Sequence, residues 1–159
     1  MTAAFSWISI PFIPVPITLQ TMAVLLTGSI MKRYAFIPMA LYLLLGMVGL
    51  PLFHNGTAGV GVLLGPTGGY LAGFIPASII VGLCYEQSSE KIHVAGLALA
   101  TFVIYVCGLL WLIISVPMGL FAAFTAGMLP FIPGDIIKAA AAFLITRRIQ
   151  PYIMPLSEQ

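Results

Sequence analysis

Charge is what this sequence has least of. Six basic and four acidic residues among 159 make the chain 6% charged, whereas a soluble domain carries about a quarter charged residues. Hydrophobic residues make up 61%, and the mean hydropathy is +1.14. This composition excludes an ordinary water-soluble domain, and the recurring apolar runs indicate a polytopic helical membrane protein in contact with the lipid bilayer. The net charge of +2 is too small to indicate binding to nucleic acid.

Cysteine is also scarce, and the motifs of common enzyme classes are missing. The two cysteines, Cys84 and Cys107, lie in apolar runs without metal-binding or redox spacing, so we expect small core residues. No GxxxxGKS or GxxxxGKT sequence is present, so ATP hydrolysis would have to come from partners. Neither His54 nor His93 has a nucleophile or metal-ligating residues beside it. We therefore expect no enzyme activity, no cofactor and no metal.

Apolar segments between helix-breaking residues predict six membrane spans. A helix needs about twenty apolar residues to cross a bilayer, somewhat fewer when polar ends snorkel. The predicted spans cover residues 1–13, 17–31, 34–50, 68–85, 92–116 and 118–149. The expected fold class is an all-α, polytopic integral membrane protein, a six-helix bundle formed by a single domain over residues 1–159.

Several segments of this predicted bundle are irregular. The first span is truncated, because it ends at the cluster of Pro11, Pro14 and Pro16. The Gly-rich link LPLFHNGTAGVGVLLGPTGG, between helices 3 and 4, is too polar and too flexible for a regular helix. The last span is broken at PFIPGD into an approach or re-entrant segment, 118–129, and a final helix, 134–149. The tail PYIMPLSEQ is expected to fray.

Basic residues predict the orientation in the membrane. If the spans alternate, five basic residues fall on one side: Lys32, Arg33, Lys91, Arg147 and Arg148. The positive-inside rule makes that side, and the C-terminus, cytoplasmic in a multi-pass protein of the plasma membrane. A solvated cytoplasmic loop is expected to hold Glu86, Glu90, Lys91 and His93. Lys138 is the one cation that this orientation does not explain.

An acid and a base stand close together in PGDIIK, residues 133–138. Asp135 and Lys138 are one helical turn apart, so their side chains share a face. Asp135 follows Pro and Gly at a predicted helix start, where a carboxylate caps free amide groups and meets the positive end of the dipole. Two interpretations remain open. The pair is either a structural cap and ion pair, or a ligand-binding pair that accepts N–H groups and binds a carboxylate or carbonyl.

A second wall of this candidate site is expected on the outward side. In GPTGGY, residues 65–70, glycine allows the backbone to approach either a ligand or a neighbouring helix, and Tyr70 adds a ring with a polar tip. His54 and Asn55 lie in the preceding link, and a lone histidine there is typical of a solvated loop. Gln20, near the outward end of the second span, hydrogen-bonds either a ligand or a neighbouring helix.

Four blocks of the sequence resemble one known family. They are VPITLQTMAVLLTG (15–28), ALYLLLGMVGLPLF (40–53), LLGPTGGYLAGF (63–74) and FIPGDIIKA (131–139). In this order they resemble BioY, the biotin-binding S-component of energy-coupling-factor (ECF) transporters. The resemblance implies a six-helix S-component fold that binds one biotin near the outer face. It also implies partners, a transmembrane coupling subunit and two ATPase subunits.

Site residues follow from the resemblance position by position. Asp135 would accept an N–H of the biotin ureido ring, and Lys138 would meet either the ureido carbonyl or the carboxylate. Thr57 would touch the ureido ring, where some relatives carry an amide side chain, and Tyr70 would line the pocket. Polar contacts that relatives make through that amide would shift here to Asn55, Gln20 or the backbone.

Other functions remain as alternatives. An S-component for another small vitamin would share the six helices but not the combination of GPTGGY and PGDIIK. A structural membrane partner would explain the packing glycines but would leave Lys138 unexplained. An intramembrane enzyme would require a nucleophile with a base, or a metal cluster, near His54 or His93.

Overall fold

Helices account for most of the chain, because only a helix satisfies its own backbone hydrogen bonds within a bilayer. The computed structural model describes residues 1–10 and 12–153. In chain order the elements are α1 (Thr2–Ser6), β1 (Ser9–Ile10), β2 (Ile17–Thr18), α2 (Gln20–Met31), a 3-10 turn (Lys32–Ala35), α3 (Phe36–Met47), a 3-10 turn (His54–Gly56), α4 (Val60–Leu64), α5 (Gly68–Cys84), α6 (Glu90–Ser115), α7 (Leu120–Gly127) and α8 (Ile132–Ile153). The predicted all-helical membrane class is confirmed.

Within the described ranges, two helical stretches are long and apolar enough to cross a membrane, Gln20–Met47 and Glu90–Ser115. A third is added if Leu120–Gly127 and Ile132–Tyr152, which are bent by 49° relative to each other, count as one broken span. Helix α5 is a shorter apolar helix of 17 residues. The predicted break within 118–149 therefore lies where α7 ends and α8 begins.

The stretch Gln20–Met47 is a helical hairpin rather than one straight rod. Gln20 Nε2 donates a hydrogen bond to the Tyr42 hydroxyl at 2.6 Å, whereas a straight helix would separate these residues by about 33 Å. The chain reverses at Lys32, whose φ of 53° and ψ of −137° end α2. The second and third predicted spans therefore correspond to α2 and α3.

The N-terminal segment differs from the predicted first span. Its helix contains only five residues, Thr2–Ser6, and a short antiparallel pair follows, with Ser9 opposite Thr18 and Ile10 opposite Ile17. Pro14 and Pro16 lie in the irregular stretch between the two strands, where a residue without a backbone N–H is tolerated. The predicted breaker Pro11 lies outside the described residues.

Two further predictions of boundaries were wrong. The Gly-rich link contains a short helix, α4, because the apolar run VGVLL lies against α5, where Gly68 approaches the Leu63 carbonyl. Helix α8 begins at Ile132 rather than at residue 134, because proline is tolerated in a first turn whose N–H groups have no intrahelical acceptor. The helix continues through Ile153, so the first three residues of the tail PYIMPLSEQ are helical, and residues 154–159 lie outside the described residues.

Helices α5 and α6 pack closely through small residues. A Cβ atom on Gly69 would lie 2.3 Å from Trp111 Cβ and 2.4 Å from the Cys107 carbonyl oxygen. The Trp111 indole N–H donates to the Gly65 carbonyl oxygen at 2.9 Å. The glycines of GPTGGY thus serve helix packing, which places Tyr70, the last residue of this motif, inward.

Candidate functional site

A small polar cavity lies where the first turns of α2, α5 and α8 face the middle of α6. Its volume is about 40 Å³. The polar residues that line it are Thr18, Gln20, Thr21, His54, Thr67, Tyr70, Tyr105, Asp135 and Lys138. Apolar side chains, among them Leu71, Phe74, Ile104 and Phe131, complete the wall. Two members are charged, and both come from the PGDIIK motif.

The first turn of α8 positions the acidic group. The Asp135 backbone N–H donates to the Phe131 carbonyl oxygen at 2.8 Å, so the residue is already inside the helix. A carboxylate in a first turn is favoured by the positive end of the helix dipole. Asp135 is only 3% exposed, and the next turn brings Lys138 Nζ to 2.8 Å from Asp135 Oδ1. The sequence therefore builds a buried ion pair from local spacing alone.

Protein acceptors account for all three protons of the Lys138 ammonium group. It donates to the Thr18 carbonyl oxygen at 2.6 Å and to Asp135 Oδ1 at 2.8 Å. Its third contact is Thr21 Oγ1, at 3.3 Å. Since an ammonium group has three donors and no acceptor, a direct contact with a ligand requires Lys138 to give up one of these partners.

Two residues that the sequence analysis missed complete the environment of Asp135. The Thr21 hydroxyl donates to Oδ1 at 2.9 Å, and the Tyr105 hydroxyl donates to Oδ2. Tyr105 lies in the middle of the 26-residue apolar helix α6. The one available signal was its polar tip within an apolar run, because a buried tyrosine hydroxyl usually finds a hydrogen-bond partner.

Gln20 and Tyr70, both predicted site residues, also line the cavity. Gln20 contacts the neighbouring helix α3 through its bond to Tyr42, and its side-chain oxygen accepts from the Thr18 hydroxyl at 3.1 Å. The Tyr70 hydroxyl donates to the Gly127 carbonyl oxygen at 2.7 Å. Each polar end is thus held by a protein partner, and each keeps hydrogen-bonding capacity, a second N–H in Gln20 and the oxygen lone pairs in Tyr70.

Thr57 and Asn55, the other two predicted site residues, do not line the cavity. Both are exposed. The Thr57 hydroxyl donates to the His54 carbonyl oxygen at 2.7 Å, and the Asn55 side chain accepts from the Ser9 hydroxyl. The 3-10 turn His54–Gly56 directs His54 to the cavity instead. Burial lowers the pKa of His54, so this imidazole is neutral at pH 7 and adds no charge to the cavity.

The basic residues cluster at the other end of the helices. Arg33 forms a bidentate ion pair with Glu86, in which Nε lies 2.7 Å from Oε1 and Nη2 lies 2.8 Å from Oε2. Arg147 Nε pairs with Glu90 Oε1 at 3.1 Å. The first pair joins the end of α2 to the end of α5, and the second joins α8 to the start of α6. The hydrogen bond from Arg33 holds the pKa of Glu86 below its usual value. Asp135 and Arg147 are twelve residues apart in α8, which separates the cavity from this basic end by about 18 Å.

The expectation of a solvated loop at this basic end is wrong for His93. Its side chain is 6% exposed and stacks on Tyr85, with ring centroids 4.2 Å apart. Its Nε2 forms a hydrogen bond with the Gln87 carbonyl oxygen at 2.7 Å. The difference arises because α6 already begins at Glu90, which turns residue 93 toward the bundle.

Fold and cavity together define a helical membrane protein that holds a buried ion pair in a polar chamber at the end of its bundle opposite the basic residues. The BioY family profile matches residues 1–154. The chain belongs to the BioY family.

Individual relatives agree with this membership. The probable biotin transporter BioY of Pyrococcus horikoshii is 38% identical over 151 residues, covering 94% of this chain and 90% of the relative. The biotin transporter BioY of Thermotoga maritima is 40% identical over 151 residues, covering 91% and 86% of the two chains. Among solved structures, the S-component for biotin from an ECF-type ABC transporter matches with a TM-score of 0.84 and 28% identity, over 94% of this chain and 85% of that one.

Proposed function

We propose that this chain is a single-domain membrane subunit that binds biotin in the cavity beside Asp135. The observation that carries the proposal is the buried carboxylate of Asp135, paired with Lys138, in the wall of a chamber whose other lining groups are uncharged polar and apolar side chains. Biotin has a compact, largely apolar bicycle whose ureido group offers N–H donors, and a carboxylate is a strong acceptor for such donors. Family membership supports the same ligand.

The hydrogen bonds of Asp135 leave an acceptor that suits an N–H of the ureido ring. Oδ1 of Asp135 already accepts from Thr21 and Lys138, whereas Oδ2 accepts only from Tyr105 among the described residues. A carboxylate oxygen accepts about two hydrogen bonds, so Oδ2 is the acceptor for a ligand N–H. Lys138 then serves as the internal counter-ion of this carboxylate.

The present volume of the cavity implies that binding is accompanied by movement. A chamber of about 40 Å³ is well below the roughly 300–1,000 Å³ typical of small-molecule sites. The 3-10 turn with His54 is a wall element outside the long helices, and we propose that the cavity enlarges there.

Direct binding tests this function. The protein purified in detergent should bind biotin with nanomolar to micromolar affinity in isothermal titration calorimetry, and it should not bind thiamine or riboflavin under the same conditions. A preparation that is monodisperse but does not bind biotin contradicts the proposal. Binding of thiamine or riboflavin instead would favour an S-component for another vitamin.

We also propose that the subunit works with a membrane coupling subunit and two ATPase subunits, with its basic end in the cytoplasm. The similarity to a solved S-component supports the partners, and the positive-inside rule supports the orientation of the five basic residues. Right-side-out vesicles that contain this chain and such a module should accumulate external biotin only when ATP is supplied inside. Uptake of equal rate without ATP or without the module would contradict this assembly.

A further inference from the structure

The Tyr105 hydroxyl joins two helices at the charged centre of the cavity. Tyr105 is 6% exposed and comes from α6, and its hydroxyl donates to Oδ2 of Asp135, in α8. On the other side, Thr21 of α2 donates to Oδ1. The Asp135 carboxylate is therefore held at both oxygens by hydroxyl groups from two other helices, in addition to its ion pair with Lys138.

This arrangement limits how the carboxylate can turn. Lys138 shares a helix with Asp135 and contacts only Oδ1, so the ion pair alone leaves the side chain free to rotate about its Cβ–Cγ bond. A donor at each oxygen, from opposite directions, fixes the plane of the carboxylate. The remaining lone pair of Oδ2 then has a defined direction, which is what a site needs in order to select a ligand by one N–H group.

We propose that Tyr105 and Thr21 are positioning residues of the ligand site, which hold Asp135 so that Oδ2 receives one N–H of the ligand. The inference rests on the proposed function, since it concerns how the same cavity recognises biotin. It assigns the selectivity for an N–H donor to a hydroxyl clamp, the Tyr105 and Thr21 hydroxyl groups bound to the carboxylate, rather than to Asp135 alone.

A purely structural role is the competing explanation. An apolar groove of about 550 Å³ runs between α6 and α8, and Tyr105 and Asp135 border it as well as the polar cavity. The bond between them is thus a polar contact across a region where these two helices are otherwise separated by a groove. If it only tied α6 to α8, its loss would affect every ligand of the cavity equally.

The test compares biotin with its two ureido N-methyl derivatives, one for each nitrogen. One of the two ureido nitrogens donates its N–H to Asp135. Methylation of that nitrogen should weaken binding to the wild-type protein by about tenfold to a hundredfold, because a hydrogen bond to a charged acceptor is lost. The substitution Tyr105→Phe should weaken the binding of biotin by about tenfold and leave the affinity for that N-methyl derivative nearly unchanged. The readout is the ratio of the affinity for biotin to the affinity for that N-methyl derivative. A purely structural role of Tyr105 would leave this ratio unchanged.

Two further variants make the result decisive. Thr21→Val should lower the same ratio, and it also tests the clamp if Tyr105→Phe does not survive purification. Tyr85→Phe is the matched control, because Tyr85 is also a buried tyrosine, but its hydroxyl has no hydrogen-bond partner among the described residues and it lies at the basic end. This control should change neither affinity.

The outcomes separate the clamp from the function on which it rests. A wild-type protein that does not bind biotin would overturn the proposed function and the clamp with it. Wild-type binding of biotin together with unchanged affinity in Tyr105→Phe and Thr21→Val, or with equal losses for biotin and both derivatives, would overturn the clamp alone.

Discussion

Asp135→Asn is expected to weaken biotin binding by about a hundredfold. A hydrogen bond to a charged group contributes about 1.5–3 kcal/mol, and each 1.4 kcal/mol is about tenfold in affinity. In the variant the amide oxygen can still accept from Thr21 and Lys138, so the –NH₂ group replaces Oδ2. A ligand N–H then meets another N–H, and the Tyr105 hydroxyl loses its acceptor. Titration calorimetry with biotin measures the loss.

The matched control for this variant is Glu86→Gln. It also converts one carboxylate of an ion pair into an amide, but the pair with Arg33 is largely exposed and lies at the basic end. We expect wild-type affinity for biotin, because exposed ion pairs contribute little and this one does not contact the cavity. The prediction is contradicted if the Asp135→Asn protein elutes as a single species and binds biotin as the wild type does. Asp135 would then not be part of the ligand site.

The helical membrane class and the charged pair could be predicted because both depend on local signals. Charged residues are so rare in this chain that an acid and a base at i and i+3 stand out without knowledge of their neighbours. Helix geometry then places both side chains on one face. The same reasoning located the break before α8, since Pro130 and Pro133 interrupt any continuous helix through that region.

The hydroxyl groups around this pair could not be predicted, because they depend on contacts between distant segments. Thr21 and Tyr105 lie 114 and 30 residues from Asp135, and even the polar tip of Tyr105 within an apolar run does not indicate which residue it binds. The placement of Asn55 outside the cavity wall could not be predicted for a different reason. Its position in the link suggested the site, but a backbone φ of 54° in a three-residue turn directs the neighbouring His54 to the cavity instead.

Lys138→Met should also abolish tight binding, although the structure gives Lys138 no proton to spare for the ligand. Removing the ammonium group leaves the Asp135 carboxylate buried without a counter-charge, and breaking a buried ion pair on one side costs about 3–5 kcal/mol. The unpaired carboxylate is then driven to turn away from its buried position, which takes the acceptor Oδ2 out of reach of the ligand N–H. We expect a loss of affinity of at least about a hundredfold and a lower unfolding temperature, measured by calorimetry and by thermal unfolding in detergent.

The double variant Asp135→Asn, Lys138→Met distinguishes a counter-ion from a direct ligand contact. If Lys138 acts only through Asp135, the second substitution should cost little further affinity once the first is present, because the effects of coupled residues are not additive. The double variant should also be more stable than Lys138→Met alone, since it no longer buries an unpaired charge. A further loss of affinity as large as that of the single lysine variant would show instead that the ammonium group contacts biotin directly and gives up Thr21 or Thr18 to do so.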